Sequence, residues 1–256
     1  MVLPIGDYQP TVRQPVVTWL LIALNVLAYV VQLDRGQSFT NAYAVTPYEV
    51  MHGHDVTGPA QQLLVRAPDG QVYVIPDPGR NVFNNPDFQH QPTSLPVWTT
   101  LLTAMFLHGS PLHLLGNMLF LWIFGDNVED YLGRLEYLLL YIFSGMVGFL
   151  AQAMSSPDSV IPVLGASGAV AGVMGAYLLL FPLNSIRVLI FYFPADLPAY
   201  IVIGLWIVSQ FVLGMLELDR LGKTGGVAYL AHIGGVAMGM LATYLLVPNR
   251  HRARLG

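Results

Sequence analysis

Long apolar segments alternate with shorter polar ones along this chain of 256 residues. A helix needs about 20 mostly apolar residues to cross the ~30 Å apolar core of a bilayer. Segments of roughly this length and composition cover residues 14–33, 111–128, 135–155, 164–183, 197–217 and 227–247. The pattern therefore predicts an all-α membrane protein whose six transmembrane helices form a single domain over residues 1–256.

The predicted spans also indicate which side of the membrane the chain ends face. The first span is too long for a signal peptide and lacks a small-residue cleavage motif, so we expect it to be retained. An even number of spans places both termini on one side, where arginines lie close to span ends: Arg13, Arg134, Arg187, Arg250, Arg252 and Arg254. Because such residues favour the cytoplasm, we expect both termini to be cytoplasmic and the protein to lie in the cell membrane.

Two connections between the spans have patterns of their own. The first loop, residues 34–97, is long and rich in Pro, Gly, Asn and Asp. Within it, residues 62–67 and 71–75 flank the turn Pro68-Asp69-Gly70, which predicts a small β-hairpin. Residues 185–193 are too few to span a bilayer, and we expect them to lie at the cytoplasmic membrane interface.

Composition narrows the possible functions. Only 10% of the residues are charged and 54% are apolar, whereas roughly 25% of the residues in a soluble domain are charged. The natural partner of such a chain is the lipid bilayer. The formal net charge of −4 does not favour nucleic-acid binding. The absence of cysteine excludes disulfides, thiolate metal sites and thiol nucleophiles.

Few polar residues lie within the predicted spans, and polar residues there often mark function because they are costly in a membrane. They include His113 and Asn117 in the second span, Ser167 in the fourth and His232 in the sixth. No Asp or Glu lies in the middle of a span, which excludes a membrane aspartyl protease, and no His-Glu-x-x-His motif indicates a zinc protease. His108 and His113 are five residues apart, a poor spacing for chelation, so we expect no metal site and no cofactor.

Ser167 and His232 each have a structural and a functional interpretation. A serine in an apolar helix often bonds to the carbonyl four residues earlier, and a buried histidine often bonds to a neighbouring carbonyl. Ser167, however, follows a predicted helix break at Gly165, and small residues recur at a spacing of four after it and after His232. Such faces let two helices approach closely, which would bring an imidazole beside the Ser167 hydroxyl as its general base.

His113 and Asn117 are four residues apart and therefore share one face of the second predicted helix. Two hydrogen-bond donors on one face, in a medium of low dielectric constant, suit the stabilisation of an oxyanion. They equally suit hydrogen bonding between helices. Spacing alone does not distinguish the two roles.

At these residues the sequence resembles the rhomboid family of intramembrane serine proteases over about residues 97–247 and the first span. The motifs that carry the resemblance are His108-x₄-His113-x₃-Asn117, Gly125-x₃-Glu129, Gly165-x-Ser167-Gly168 and Ala231-His232-x₂-Gly235-x₃-Gly239. Two positions depart from the family pattern. No arginine follows Trp98, and Ala171 stands where an aromatic residue is common, four residues after the serine.

The resemblance implies a rhomboid bundle of six helices with a water-filled cavity open to the non-cytoplasmic side. It assigns Ser167 as the nucleophile and His232 as its base, a dyad without a carboxylate. It gives the oxyanion role to His113, Asn117 and the Ser167 N–H, with support from Gly165, Gly168, His108, Gly235 and Gly239. The implied partners are single-pass transmembrane substrates. An inactive relative that only binds such proteins, and a transporter, are the alternatives.

Overall fold

The computed structural model of the protein describes residues 2–53, 62–66, 72–76, 95–218 and 228–254. The helices are α1 (Val16–Tyr43), α2 (Pro47–His52), α3 (Thr100–Thr103), α4 (Pro111–Leu132), α5 (Arg134–Ser155), α6 (Ser167–Leu180), α7 (Ala199–Leu218) and α8 (Tyr229–Arg254). The strands are β1 (Val2–Asp7), β2 (Gln62–Arg66), β3 (Val72–Pro76), β4 (Ser185–Ile190) and β5 (Phe193–Pro198). Short 3₁₀ turns, Val97–Thr99 and Ala104–Phe106, flank α3.

The all-α prediction was wrong in one respect, because a three-stranded antiparallel sheet with the order β1-β4-β5 accompanies the helices. In this sheet Leu3 lies opposite Leu189, and Ile186 and Val188 turn alternate side chains into the core. The segment 185–193, which we expected at the membrane interface, thus contains strand β4 and the turn that follows it. The pairing of β1 with β4 joins the N-terminus to a distant segment, and a local hydrophobic pattern contains no information about such pairing.

The predicted hairpin in the first loop is present as an antiparallel pair. Gln62 lies opposite Pro76 and Arg66 opposite Val72. The proposed turn, Pro68-Asp69-Gly70, lies outside the described residues.

Helix lengths differ from the predicted spans. Helix α1 continues to Tyr43 rather than ending at residue 33, with a kink at Gly36, where φ is +80°. Among the residues that the structure describes, three helices are long and apolar enough to cross a membrane: Val16–Tyr43, Arg134–Ser155 and Tyr229–Val247. The apolar helices Ser167–Leu180 and Ala199–Leu213 are shorter.

Helix α6 forms the centre of the bundle. Every residue from Gly168 to Tyr177 is buried, as expected for a helix that is apolar on all sides. It packs against α4, α5 and α8, and its neighbours contribute the large buried side chains Phe124, Tyr137 and Tyr141. Because α6 starts at Ser167 and leads into β4, the serine lies at one end of the bundle and the sheet follows the other end.

Candidate active site

Ser167 is the first residue of α6, and a short extended segment leads into it. In this segment Val163 and Val45 exchange two backbone hydrogen bonds of 2.7 and 2.9 Å, and the N–H of Gly165 donates to the carbonyl of Ala104 at 2.9 Å. The φ angle of Gly165 is +126°, which residues with a Cβ rarely adopt. The turn therefore fixes where α6 begins. The N–H of Ser167, in the first helical turn, has no acceptor within the helix.

Glycines bring the backbones of α6 and α8 into direct contact. A Cβ added to Gly235 would overlap the carbonyl oxygen of Gly168, and one added to Gly239 would overlap that of Gly172. Close packing of this kind is typical of small residues at a spacing of four in membrane helices. It brings residue 232, on α8, next to the start of α6.

The helix contact places the Ser167 hydroxyl beside the His232 imidazole. Ser167 Oγ lies 2.7 Å from His232 Nε2, which is a hydrogen-bond distance. His232 is buried, with 7% of its surface exposed, whereas Ser167 is only partly buried. This geometry allows a neutral imidazole to accept the proton of the hydroxyl.

Aromatic rings from two helices pack around the imidazole. The ring centroid of Trp206, in α7, lies 5.6 Å from that of His232, and the ring of Tyr229, at the start of α8, lies 6.4 Å away in an edge-on arrangement. Position 171, where the family often has an aromatic residue, holds a buried alanine. Aromatic packing on His232 therefore comes from α7 and α8 rather than from α6.

Gln210 was not among the candidates from the sequence, yet its Oε1 lies 2.7 Å from His232 Nδ1. The residue lies in α7 and is buried, with 8% of its surface exposed. The sequence did contain a signal for Gln210, because a side-chain amide within an apolar span is uncommon enough to suggest a role. What the sequence lacked was any indication of which other residue the amide contacts.

His113 and Asn117 both lie in α4 but have different neighbours. A Cβ placed on Gly165 would lie 2.9 Å from His113 Nε2 and 3.8 Å from Ser167 Oγ, so the imidazole of His113 is close to the serine. Asn117 Nδ2 lies 3.0 Å from His108 Nε2. An asparagine amide has two hydrogens, and the contact with His108 uses one of them.

His108 links this face of α4 to α1. Its N–H donates to Gln32 Oε1 at 2.8 Å, and its carbonyl accepts from Gln32 Nε2 at 3.3 Å. His108 precedes α4, and burial, with a smaller contribution from the nearby His113, lowers its pKa to about 4. The ring is therefore neutral and Nε2 can accept from Asn117. With no arginine after Trp98, the backbone hydrogen bonds between Val45 and Val163 tie the first loop to the bundle.

Within the part of the chain that the structure describes, no three His, Asp or Glu side chains are close enough together to hold a metal ion.

The apolar helices and the partly buried Ser–His contact define the class, an integral membrane protein with a polar site inside its helix bundle. Comparison with known proteins gives the family. Residues 96–249, more than half of the chain, match the family model of the rhomboid domain. The chain belongs to the rhomboid family.

Individual relatives agree with this assignment. The chain is 33% identical over 146 residues to rhomboid protein 1, mitochondrial, of Saccharomyces cerevisiae, which covers 56% of this chain and 40% of that protein. It is 34% identical over 129 residues to rhomboid protease GluP of Bacillus subtilis, covering 50% of this chain and 24% of the relative. RHOMBOID-like protein 4 of Arabidopsis thaliana is 32% identical over 151 residues, 59% of this chain and 34% of that protein. The chain thus spans less than half the length of these relatives.

Proposed function

We propose that this protein is an intramembrane serine endopeptidase that hydrolyses peptide bonds in or next to transmembrane segments of single-pass membrane proteins. The observation that carries the proposal is the 2.7 Å separation of Ser167 Oγ and His232 Nε2. Membership of a family that includes a relative named as a protease supports it. The partners are the substrate protein and the lipid bilayer, and the chemistry requires no cofactor.

In the first half of the reaction, Ser167 Oγ attacks the carbonyl carbon of the scissile bond and passes its proton to His232 Nε2. The carbonyl oxygen becomes an oxyanion, for which we propose three donors: the N–H of Ser167, the ring of His113 and the free amide hydrogen of Asn117. Losing one such donor typically lowers the rate by 10²–10³-fold. The C–N bond then breaks as His232 returns the proton to the leaving amine, which leaves an ester on Ser167.

In the second half, water attacks the ester carbonyl while His232 accepts one of its protons. The tetrahedral intermediate collapses, His232 returns the proton to Ser167 Oγ, and the carboxylic acid product leaves. Water must reach Ser167 for this step. Partial exposure of Ser167 at one end of the bundle supports a cavity that opens to the membrane surface.

For the topology, we propose that α1, α4, α5, α6, α7 and α8 all cross the membrane, with both termini in the cytoplasm. Two contacts at the end of the bundle away from Ser167 support this arrangement. Asp130, near the end of α4, accepts a hydrogen bond from the N–H of Arg13 at 3.1 Å, and Arg187 of β4 donates to the hydroxyl of Tyr8. Arginines collected at one end favour the cytoplasm for that end. The cavity then faces the opposite compartment.

A fluorophosphonate probe, combined with a single-span substrate, tests the proposal. We expect the wild-type protein to be labelled and to cleave the substrate, and we expect Ser167→Ala and His232→Ala to do neither while keeping the wild-type melting temperature in detergent. Cleavage by Ser167→Ala at the wild-type rate would contradict the proposed nucleophile. A folded wild-type protein that binds the substrate but is neither labelled nor active would instead identify a binding protein.

A further inference from the structure

Hydrogen bonds within α7 determine how the side-chain amide of Gln210 is oriented. Ser209 Oγ donates its single hydrogen to the carbonyl of Trp206 at 2.6 Å. Gln210 Nε2 lies 3.1 Å from Ser209 Oγ, and because that oxygen has no further hydrogen, it can only accept from the amide. The amide nitrogen is therefore on the Ser209 side, and Oε1 faces His232.

This orientation determines which nitrogen of His232 carries the proton. An amide oxygen only accepts hydrogen bonds, so the 2.7 Å contact between Gln210 Oε1 and His232 Nδ1 requires a hydrogen on Nδ1. In the neutral ring, Nε2 is then an acceptor, and the hydroxyl of Ser167 donates to it at 2.7 Å. Four hydrogen bonds thus run in one direction, from the Ser167 hydroxyl to the carbonyl of Trp206.

We propose that Gln210 is a positioning residue that holds His232 in the tautomer and ring orientation required of a general base, and that Ser209 fixes Gln210 in turn. The inference rests on the proposed proteolytic function. In serine proteases with a triad, a buried carboxylate holds the base by the same ring nitrogen. Here an uncharged amide occupies that place. The acceptor also remains paired when His232 takes the serine proton, because the bond from Nδ1 is already formed.

The hydrogen bond between Gln210 and His232 matters because both residues are buried. Gln210 and His232 are exposed by only 8% and 7%, so water is a poor substitute for either partner. If the acceptor is removed, the Nδ1 hydrogen is left unpaired at a cost, and the tautomer with its hydrogen on Nε2 becomes competitive. That tautomer cannot accept the proton of Ser167. The loss is therefore expected in kcat and not in substrate binding.

The test compares two substitutions of similar size in the full-length protein. Gln210→Leu removes the acceptor, and we expect kcat to fall roughly 10- to 100-fold with little change in KM, since general-base catalysis contributes about 10²–10⁴-fold. Gln210→Glu keeps an acceptor at the same place. We expect Gln210→Glu to retain most of the wild-type activity. Because the charge of the glutamate favours the protonated His232 ring, we also expect the acid limb of its pH–rate profile to move to higher pH. Ser209→Ala, which frees the amide to rotate, should give a smaller loss than Gln210→Leu.

Controls separate this inference from the proposed function and from a general packing effect. Val208→Leu, an apolar change at an exposed position of the same helix, should leave kcat and the melting temperature unchanged. Wild-type activity in Gln210→Leu would overturn the inference while leaving a Ser167-dependent protease in place. Equal losses in Gln210→Leu and Gln210→Glu, with an unshifted pH profile in the latter, would also overturn it. Activity of the wild type that is independent of Ser167 would instead refute the proposed function.

Discussion

The carboxylate of Glu129, in α4, caps the first turn of α1 by accepting two hydrogen bonds from Thr18. Glu129 Oε2 accepts from the N–H and from the hydroxyl of Thr18, both at 2.8 Å, while Oε1 accepts from the N–H of Val17 at 2.9 Å. Helix α1 has no side-chain cap of its own at Pro15. An anionic group that satisfies the free donors at a helix N-terminus also interacts favourably with the helix dipole.

Removing this cap should destabilise the fold. We expect Glu129→Ala to lower the free energy of unfolding by about 3 kcal/mol, because a buried donor without a partner costs roughly 1–3 kcal/mol. Thermal unfolding in detergent measures the change. Asp130→Ala is the matched control: Asp130 also accepts two backbone N–H groups, those of Val12 and Arg13, but in an exposed setting. A loss as large in Asp130→Ala as in Glu129→Ala would contradict the explanation by burial.

The contact between α6 and α8 should not tolerate a single added methyl group. In Gly239→Ala the new Cβ would overlap the carbonyl oxygen of Gly172, and backbone atoms cannot move aside as a flexible side chain can. Overpacking of this kind costs about 1–3 kcal/mol, and we expect a loss of stability at the upper end of that range. Gly204→Ala in α7, where no atom lies within 4 Å of the new Cβ, should instead stabilise the protein by roughly 0.5–1 kcal/mol. Melting temperatures that change equally in both variants would be inconsistent with direct helix contact.

Asn117 offers a test of the proposed oxyanion site. We expect Asn117→Ala to lower kcat by about 10²-fold while KM changes little, because the donor acts on charge that develops in the transition state. Steady-state kinetics on a single-span substrate gives both constants. Leu115→Ala, at a position of the same helix that is 64% exposed, controls for loss of side-chain volume. An unchanged kcat in Asn117→Ala would remove this residue from the oxyanion role and leave it as a partner of His108.

The buried carboxyl group of Asp7 leads us to expect that the stability of the fold depends on pH. Burial raises the pKa of Asp7, and the hydrogen bond from Tyr177 only partly opposes this effect. Between the ordinary pKa of 3.8 and the raised value, Asp7 keeps its proton in the folded protein but loses it in the unfolded chain. The contribution of Asp7 to the free energy of unfolding is therefore greatest below pH 3.8 and is lost as the pH rises through the raised pKa. Asp7→Asn keeps an acceptor for Tyr177 and Asn127 without the charge.

We expect Asp7→Asn to raise the melting temperature near pH 7.5 and to have little effect near pH 3.5. Asp7→Ala, in contrast, leaves the donors of Tyr177 and Asn127 without their acceptor and should destabilise the protein at both pH values. An equal change in the melting temperature of Asp7→Asn at the two pH values would show that the charge of Asp7 does not limit stability.

Agreement between sequence and structure depends on how local each feature is. The helical character of the chain, the hairpin of β2 and β3 and the small-residue faces beside Ser167 and His232 are all visible over a few consecutive turns or residues. The strand pair of β1 and β4 and the extension of α1 to Tyr43 are not. The strand pair depends on a distant part of the chain, since an extended segment needs a partner strand to satisfy its backbone.

The sequence by itself determined that this is a membrane protein and that Ser167, His232, His113 and Asn117 are the candidates for chemistry, because hydropathy and spacing along a helix are properties of neighbouring residues. The tertiary structure alone decided that Gln210 contacts His232 and that Glu129 caps α1. Each of these contacts joins residues of two different helices, and a difference of an ångström in how those helices pack decides whether a hydrogen bond forms.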